Sequence, residues 1–321
     1  MKPYVYVARK MPESIIHMLE EQCDVSMWEK EDEPVPREVL EKEIKKADGL
    51  FCTVTEEIDQ DLIDKAESLK IIATMAVGYN NINVQAAARR EIMVANTPGV
   101  LSDTTADLTF GLLMATARRI PEGVDSIKNG EWKTWAPFHL IGQDIHGATL
   151  GIIGMGRIGE ALARRAKGFD MKVLYHNRNR KHETEINLGV RYAELEQLLA
   201  ESDFVCLMTP YTQETFHLIG KEELKKMKNS AVFINTSRGG TVDEEALYEA
   251  LKEKEIWAAG LDVFEDEPIG PDHPLLSLQN VVALPHIGSA SERTRMRMAE
   301  MTTRHILQAL SGERPDHLVG G

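Results

Sequence analysis

Positive charge, cysteine and long apolar runs are what this chain has little of. Lysine and arginine number 37 against 51 aspartates and glutamates, a formal net charge of −14. A nucleic-acid surface needs a basic stripe to neutralise phosphates, so nucleic acid is excluded as a partner, and an anionic ligand must be met by positive groups placed locally. The cysteines Cys23, Cys52 and Cys206 stand far apart, the last two inside apolar strand-like runs. They read as buried reduced thiols and offer neither a disulfide framework nor a metal cluster. No apolar run is long enough to span a bilayer, and the opening from Met1 to Val7 lacks a long apolar core with a cleavage site. A cytoplasmic protein with no membrane partner is therefore expected.

What the chain does have is room and alternation. Its 321 residues, 43% of them hydrophobic, suffice for about two domains with ordinary cores. Short apolar runs alternate with helix-like stretches: Val5 to Ala8 then Glu13 to Glu21, Gly49 to Val54 then Gln60 to Ala66, Leu69 to Ala76 then Val84 to Arg90, and Ile92 to Ala95. That order predicts βαβ units on a parallel sheet. After the turn Asn96-Thr97-Pro98-Gly99, a helical pattern runs from Asp103 to about Arg119 and is expected to link two domains. A second series begins at Ala148, with strands expected over Lys172 to His176, Phe204 to Met208, Ala231 to Asn235, Ala258 to Val263 and Val281 to Leu284. The last helix, from Ser291 to about Leu310, can fold back on the first domain. The expected boundaries are 1–99 plus 290–321 for one domain and 100–289 for the other.

The second series opens with Gly154-Met155-Gly156-Arg157-Ile158-Gly159 behind the apolar run Ala148 to Ile153. Such a run is weak evidence alone, since glycines also serve turns and packing, but here strand, glycines and helix occur in the order a dinucleotide site requires. Gly154 makes the tight turn, Gly156 lets backbone approach a pyrophosphate, and Gly159 lets the following helix pack closely. The helix, starting near Arg157 and Ile158, points its free amides at the phosphates.

In open parallel sheets ligands bind beyond the carboxyl ends of the strands. The polar residues following the second-series strands include Arg238, Glu267 and His286. The planar fork of Arg238, between a strand and Gly239-Gly240, suits a 2-oxo carboxylate. His286, after Val281 to Pro285, can protonate a carbonyl oxygen while hydride reaches its carbon. Glu267 can accept a hydrogen bond from that imidazole and stabilise its charged form. Singly, each also reads as an ordinary loop residue; it is the three complementary groups after successive strands that point to a site.

With these features in hand the chain resembles the D-2-hydroxyacid dehydrogenase family, in its glyoxylate/hydroxypyruvate reductase branch. The resemblance rests on Gly154 to Gly159, Asn235 to Gly239, Gly260 to Phe264 with Glu267-Pro268, and Leu284 to Gly288, and covers nearly the whole length. It implies a Rossmann-type cofactor domain and a flavodoxin-like substrate domain, both doubly wound parallel sheets, with the active site in the cleft between them. It implies a proton donor at His286, its carboxylate partner at Glu267 and a substrate-orienting arginine at Arg238. It further implies that backbone amides of Val77 and Gly78 hold the substrate carboxylate, a position that the residues alone show only as a turn. Thr104, Pro210, Thr215, Thr236, Asp262 and Gly288 are implied near the cofactor; Thr104 also reads as a helix cap. A tryptophan matching Trp135 is implied to reach the neighbouring subunit's site, which makes a homodimer with the Asp103 to Arg119 helix near its interface.

An NAD enzyme places an acid about 20 residues beyond the glycines to bind the ribose 2′-hydroxyl. Here Asn177 stands in that region, with Arg178 and Arg180 behind it to meet a 2′-phosphate. NADPH is therefore favoured, with NAD possible. The expected reaction is reduction of glyoxylate to glycolate and of hydroxypyruvate to D-glycerate, the configuration following from the resemblance alone. The alternatives are an NAD-linked phosphoglycerate or D-lactate dehydrogenase, against which the missing acid counts, and a cofactor-sensing corepressor on the same fold. The chain runs to Gly321 without the extension many phosphoglycerate enzymes carry, and shows no disordered partner-binding tail.

Overall fold

The computed structural model describes residues 2–320. It divides into two compact units, one running through Leu101 and resuming at Ser291, the other Ser102–Ala290.

The first unit contains β1 (Tyr4–Val7), α1 (Glu13–Glu20), β2 (Asp24–Met27), α2 (Arg37–Ile44), β3 (Gly49–Cys52), α3 (Gln60–Asp64), β4 (Ile71–Thr74), α4 (Val84–Arg89) and β5 (Met93–Ala95). Its strands form one parallel sheet in the order β2-β1-β3-β4-β5, the flavodoxin-like doubly wound order. The central strands β3 and β4 are buried at every residue, as strands covered on both faces must be. The edge strand β2 alternates exposed and half-buried residues around Asp24 and Ser26, so no continuous apolar run marks it in the sequence. Side-chain caps start two of the helices: Asp59 accepts from the Leu62 amide and Asn83 from the Ala86 amide.

The second unit contains α5 (Ser102–Ala117), α6 (Ile120–Lys128), β6 (Thr149–Ile153), α7 (Arg157–Ala166), β7 (Lys172–His176), α8 (His182–Leu188), β8 (Arg191–Tyr192), α9 (Leu195–Glu201), β9 (Phe204–Leu207), α10 (Lys221–Lys226), β10 (Val232–Asn235), α11 (Glu244–Lys252), β11 (Ala258–Leu261) and β12 (Val281–Ala283). The strands form one parallel sheet, β12-β11-β10-β9-β6-β7-β8. Counted from β6, this is the Rossmann order with one further strand, and its switch point lies between β6 and β9. Helix α5 packs against β10 and β11, where the bare Cα of Gly260 leaves room for Leu112 and Thr116. Both sheets are thus the doubly wound α/β architecture that the alternation predicts. Among the described residues no helix is long and apolar enough to cross a membrane.

The final helix, α12 (Glu292–Ser311), packs on β3 and β4 of the first unit. After it, Leu318 bridges Ala95 and the Val319 amide donates to the Val94 carbonyl, so the tail extends the sheet beyond β5. Beneath this tail lies His305, 1% exposed, with neither ring nitrogen hydrogen-bonded among the described residues and its ring edge-on to His317. Burial, reinforced by His317, pulls its pKa down to about 4. A histidine whose folded pKa is depressed is neutral in both states above the unfolded value, and costs stability as pH falls from about 6.5 towards 4, because the unfolded chain takes up the proton first. Between about pH 7.5 and 5 this linkage should remove about 2 kcal/mol of stability from the first unit. Urea unfolding of the wild type and of His305→Phe at both pH values checks it: the pH dependence should shrink in the variant, and an unchanged dependence refutes the assignment.

Candidate active site

The site begins with register. Asn235 of β10 pairs with Leu261 of β11, which pairs with Ala283 of β12, so the three strands end level and release their loops at one edge of the sheet. The β10 loop carries Arg238, the β11 loop Asp262 and Glu267, and the β12 loop His286.

These loops are locked to each other. A side-chain carbon on Gly239 would lie 1.7 Å from the Phe264 carbonyl carbon, so the β10 and β11 loops touch through backbone. Glu267 spends both oxygens within the site: Oε1 accepts from the Phe264 amide at 2.9 Å and Oε2 meets Nδ1 of His286 at 2.6 Å. An ionised carboxylate only accepts, so Nδ1 carries the proton and Nε2 is left as the nitrogen able to exchange one with a ligand. Burial pushes the Glu267 pKa up, but the His286 hydrogen bond and charge, the Phe264 amide and Arg238 outweigh it, and the carboxyl ends below its ordinary value. His286 itself has left-handed backbone, φ 54°, a conformation that costs a non-glycine residue roughly 1 kcal/mol. It is held there from the next residue, whose amide donates to Oδ1 of Asp262 at 2.8 Å. Asp262 is buried, which raises its pKa against the pull of the Ile287 and Gly288 amides.

Arg238 sits half-buried beside this pair, its Nη1 donating to the Ser237 carbonyl at 2.8 Å. Burial pulls its pKa down while the Glu267 carboxylate opposes the shift; a guanidinium stays charged regardless. One support was not visible in the sequence. Glu244, at the start of α11, accepts from the Glu265 amide at 2.8 Å and faces Nε2 of His273 at 3.2 Å, bracing the loop that carries Glu267. Glutamates at helix starts are common, and only the fold shows which loop this one faces.

The glycine loop follows β6 on the same sheet. Gly154 has φ 103°, and a side chain there would meet Met208 backbone at 2.7 Å. Gly159 lies against the Gly154 carbonyl, whereas a Cβ at Gly156 would meet nothing within 4 Å. Open space over Gly156, with no side chain capping the start of α7, leaves the first-turn amides of Arg157 and Ile158 for an anion, so the residues fit a dinucleotide pyrophosphate. Oδ1 of Asn177 accepts from the Met155 amide at 2.8 Å, which turns its NH₂ group outward. Arg178 is exposed. Arg180 forms a two-pronged pair with Glu185, both contacts 2.7 Å, and lies over the Tyr192 ring; the sequence reading of Arg178 and Arg180 as equivalent donors misses that partner.

The remaining candidates are more committed to packing. Thr236 is buried and shares its hydroxyl with Thr109 of α5 at 2.7 Å. Thr215 donates to the Pro210 carbonyl at 2.7 Å and accepts from the Thr212 amide, closing its own loop. Gly288 would bring a Cβ to 3.1 Å from Asp262. Thr104 is the third residue of α5 and not its cap. Trp135 is 77% exposed in the irregular stretch between α6 and β6, with Trp132 and Phe138 also exposed. The long helix α5 buries most of its apolar side chains, and it is α6 that turns Ile120, Val124 and Ile127 outward. In the first unit, Val77 and Gly78 follow β4. The loop is tied by the Thr97 amide to the Ala76 carbonyl at 2.8 Å and by Nδ2 of Asn96 to the Val77 carbonyl at 2.7 Å.

Such an arrangement, a Rossmann sheet with a hydrogen-bonded histidine and carboxylate at its ligand-binding edge, defines an oxidoreductase using a nicotinamide cofactor. The chain belongs to the D-isomer specific 2-hydroxyacid dehydrogenase family, whose NAD binding domain matches residues 110–288. It is 51% identical to a glyoxylate reductase of Korarchaeum cryptofilum over 99% of this chain and 96% of that protein. Among solved structures it resembles an NADPH-dependent glyoxylate/hydroxypyruvate reductase of Sinorhizobium meliloti in complex with NADP and malonate, at TM-score 0.86, 32% identity and coverage of 100% and 97% of the two chains. It also resembles a D-lactate dehydrogenase of Aquifex aeolicus complexed with NAD and lactic acid, at TM-score 0.87, 28% identity and 99% coverage of each. The chain is thus an enzyme of the glyoxylate reductase branch that reduces 2-oxo acids.

Because the Gly239 contact is backbone against backbone, no side-chain rotation relieves it. Gly239→Ala should cost at least about 2 kcal/mol of stability. Denaturant unfolding of the variant measures this, and a midpoint equal to that of the wild type contradicts the contact.

Proposed function

We propose that this protein is an NADPH-preferring reductase of glyoxylate and hydroxypyruvate, giving glycolate and D-glycerate. The observation that carries the reading is the 2.6 Å contact of His286 and Glu267 on the sheet edge that also bears the glycine loop. A nicotinamide bound along that edge supplies the hydride. His286 donates a proton from Nε2 to the substrate's carbonyl oxygen, and Glu267 balances the imidazolium before transfer and orients the ring throughout. Arg238 orients the 2-oxo acid by its fixed fork of donors, and the amides of Val77 and Gly78 take the carboxylate. Thr104, Pro210, Thr215, Thr236, Asp262 and Gly288 line the cofactor, Thr236 and Gly288 through backbone because the Thr236 hydroxyl is already engaged.

The NADPH preference is supported by Asn177, whose oxygen is held by the Met155 amide. Its outward NH₂ group is a donor suited to a phosphate oxygen, and no ionised carboxylate stands at this position to take a ribose 2′-hydroxyl. Arg178 adds charge, and Arg180 follows only if it leaves Glu185. Trp135 is read as crossing to the partner subunit of a homodimer, supported by the exposed Trp132, Trp135 and Phe138 beside α6. Isolated aromatic exposure is ordinary; several large apolar side chains on one stretch favour a covering partner. Similarity to a glyoxylate reductase at 51% identity favours a small 2-oxo acid, and with it a pocket narrowed by that tryptophan.

Steady-state reduction of glyoxylate, hydroxypyruvate, pyruvate and a phosphorylated 2-oxo acid with both cofactors tests the reading directly. NADPH should exceed NADH in kcat/KM by about tenfold or more, the discrimination one charge-assisted phosphate contact provides; a clear NADH preference overturns the cofactor assignment. His286→Asn should lower kcat by about a hundredfold or more while NADPH binding, followed by its fluorescence, is unchanged. If that variant turns over normally, the proton-donor role is wrong.

Trp135→Ala should shift kcat/KM away from glyoxylate towards larger 2-oxo acids by roughly tenfold, the scale of one pocket-filling group. Unaltered substrate preference rejects the crossing tryptophan.

A further inference from the structure

We propose that Asn96 is a positioning residue that aims the Gly78 amide at the substrate carboxylate; this rests on the reading that Val77 and Gly78 hold that group. Asn96 is 7% exposed, and its neighbour Thr97 is fully buried. Its Nδ2 donates to the Val77 carbonyl at 2.7 Å, the amide orientation being set because a carbonyl only accepts. The Val77 carbonyl and the Gly78 N–H belong to one trans peptide plane and point in opposite directions. Holding the oxygen therefore fixes where the hydrogen points, within the same plane and away from Asn96. Among the described residues neither the Val77 nor the Gly78 amide donates to another protein atom, so the Gly78 donor is fixed in direction and left for a ligand. A hydrogen bond accepted by the carbonyl also polarises the peptide and makes its N–H a stronger donor.

Asn96 is itself held on both sides. Its backbone amide donates to the His317 carbonyl at 3.2 Å, and Thr97 donates to Ala76 at 2.8 Å. The tail after α12, anchored to β5 by the Val319 amide and the Leu318 bridge, so forms the outer wall of the segment that aims the loop. Nothing in Asn96-Thr97-Pro98-Gly99 separates this role from that of an ordinary turn asparagine; the partner is visible only once β4 and β5 lie side by side.

Asn96→Ala and Asn96→Ser, the second retaining a hydroxyl too short to reach Val77, should raise KM for glyoxylate and the Kd of the unreactive analogue oxamate about tenfold, as expected for loss of one aimed donor to an anion. On the same basis kcat should change by less than about threefold, and the Kd for NADPH by less than about twofold. A general loss of folding would move all four together, and that outcome rejects positioning in favour of a structural role. The wild type supplies a readout that needs no substitution: with NADPH present, titrating oxamate should shift both the Gly78 amide proton and the Asn96 Nδ2 protons in the NMR spectrum, since they share one polarised peptide. If Gly78 responds and Asn96 does not, or if the variants bind oxamate as the wild type does, positioning by Asn96 is refuted while the carboxylate reading stands. If the Gly78 proton does not respond, the carboxylate reading itself fails.

Discussion

Level termination of β10, β11 and β12 is the constraint on which the candidate site depends, because it delivers three loops from distant parts of the chain to one edge with no long-range side-chain interaction needed to gather them. Parallel pairing sets the register from Asn235 through Leu261 to Ala283, and from there short contacts suffice. Gly239 against the Phe264 carbonyl joins the first two loops through backbone, and Glu267 with His286 joins the second to the third. A slip of one residue in a buried parallel strand would reverse which side chains face the core, so the same apolar packing that stabilises the sheet also guards the site's geometry.

Within that frame the charged groups are mutually dependent. The Glu267 side chain is 32% exposed, and its pKa is lowered because the His286 hydrogen bond and charge, the Phe264 amide and Arg238 together outweigh its partial burial. Arg238 in turn is pulled down by burial and supported by Glu267. Neither charge is well placed without the other. Glu244 and His273 act one layer further out, on the loop backbone and not on the ligand side, so they fix where Glu267 stands without altering what it touches.

Both sheets were legible in the sequence because their central strands are continuous apolar runs and their ligand-side loops begin at the ends of those runs. The edge strands β2 and β8 and the short helices α2, α6 and α8 to α11 were not, since edge strands and surface helices mix polar with apolar residues and periodicity fades in so few turns. At the site, residue type and position after a strand were enough to single out Arg238, Glu267 and His286, of which the structure joins the last two by a hydrogen bond. Partners set by tertiary placement were invisible: Met155 on Asn177, Thr109 on Thr236 and Asn96 on Val77. Each pairs residues separated by an element whose packing direction no local pattern records. Spacing therefore identified donors, and only packing showed which were already engaged.

An enzyme of net charge −14 that handles an anionic cofactor and an anionic substrate faces a field of the wrong sign. Long-range attraction cannot collect either ligand, and with screening over about 8 Å at physiological ionic strength the distant acids matter less than the first contacts. The groups best suited to that task are uncharged backbone amides, whose donors persist at every pH and carry no counter-ion to displace. The start of α7 offers them for a pyrophosphate, and the loop after β4 offers them for a carboxylate in the reading proposed above. Amides, however, have no rotamers to search with; their direction is whatever the peptide plane dictates. A protein that relies on them must fix those planes from behind, through the opposite face of the same peptide, and buried amide side chains such as Asn96 are the residues chemically equipped to do so.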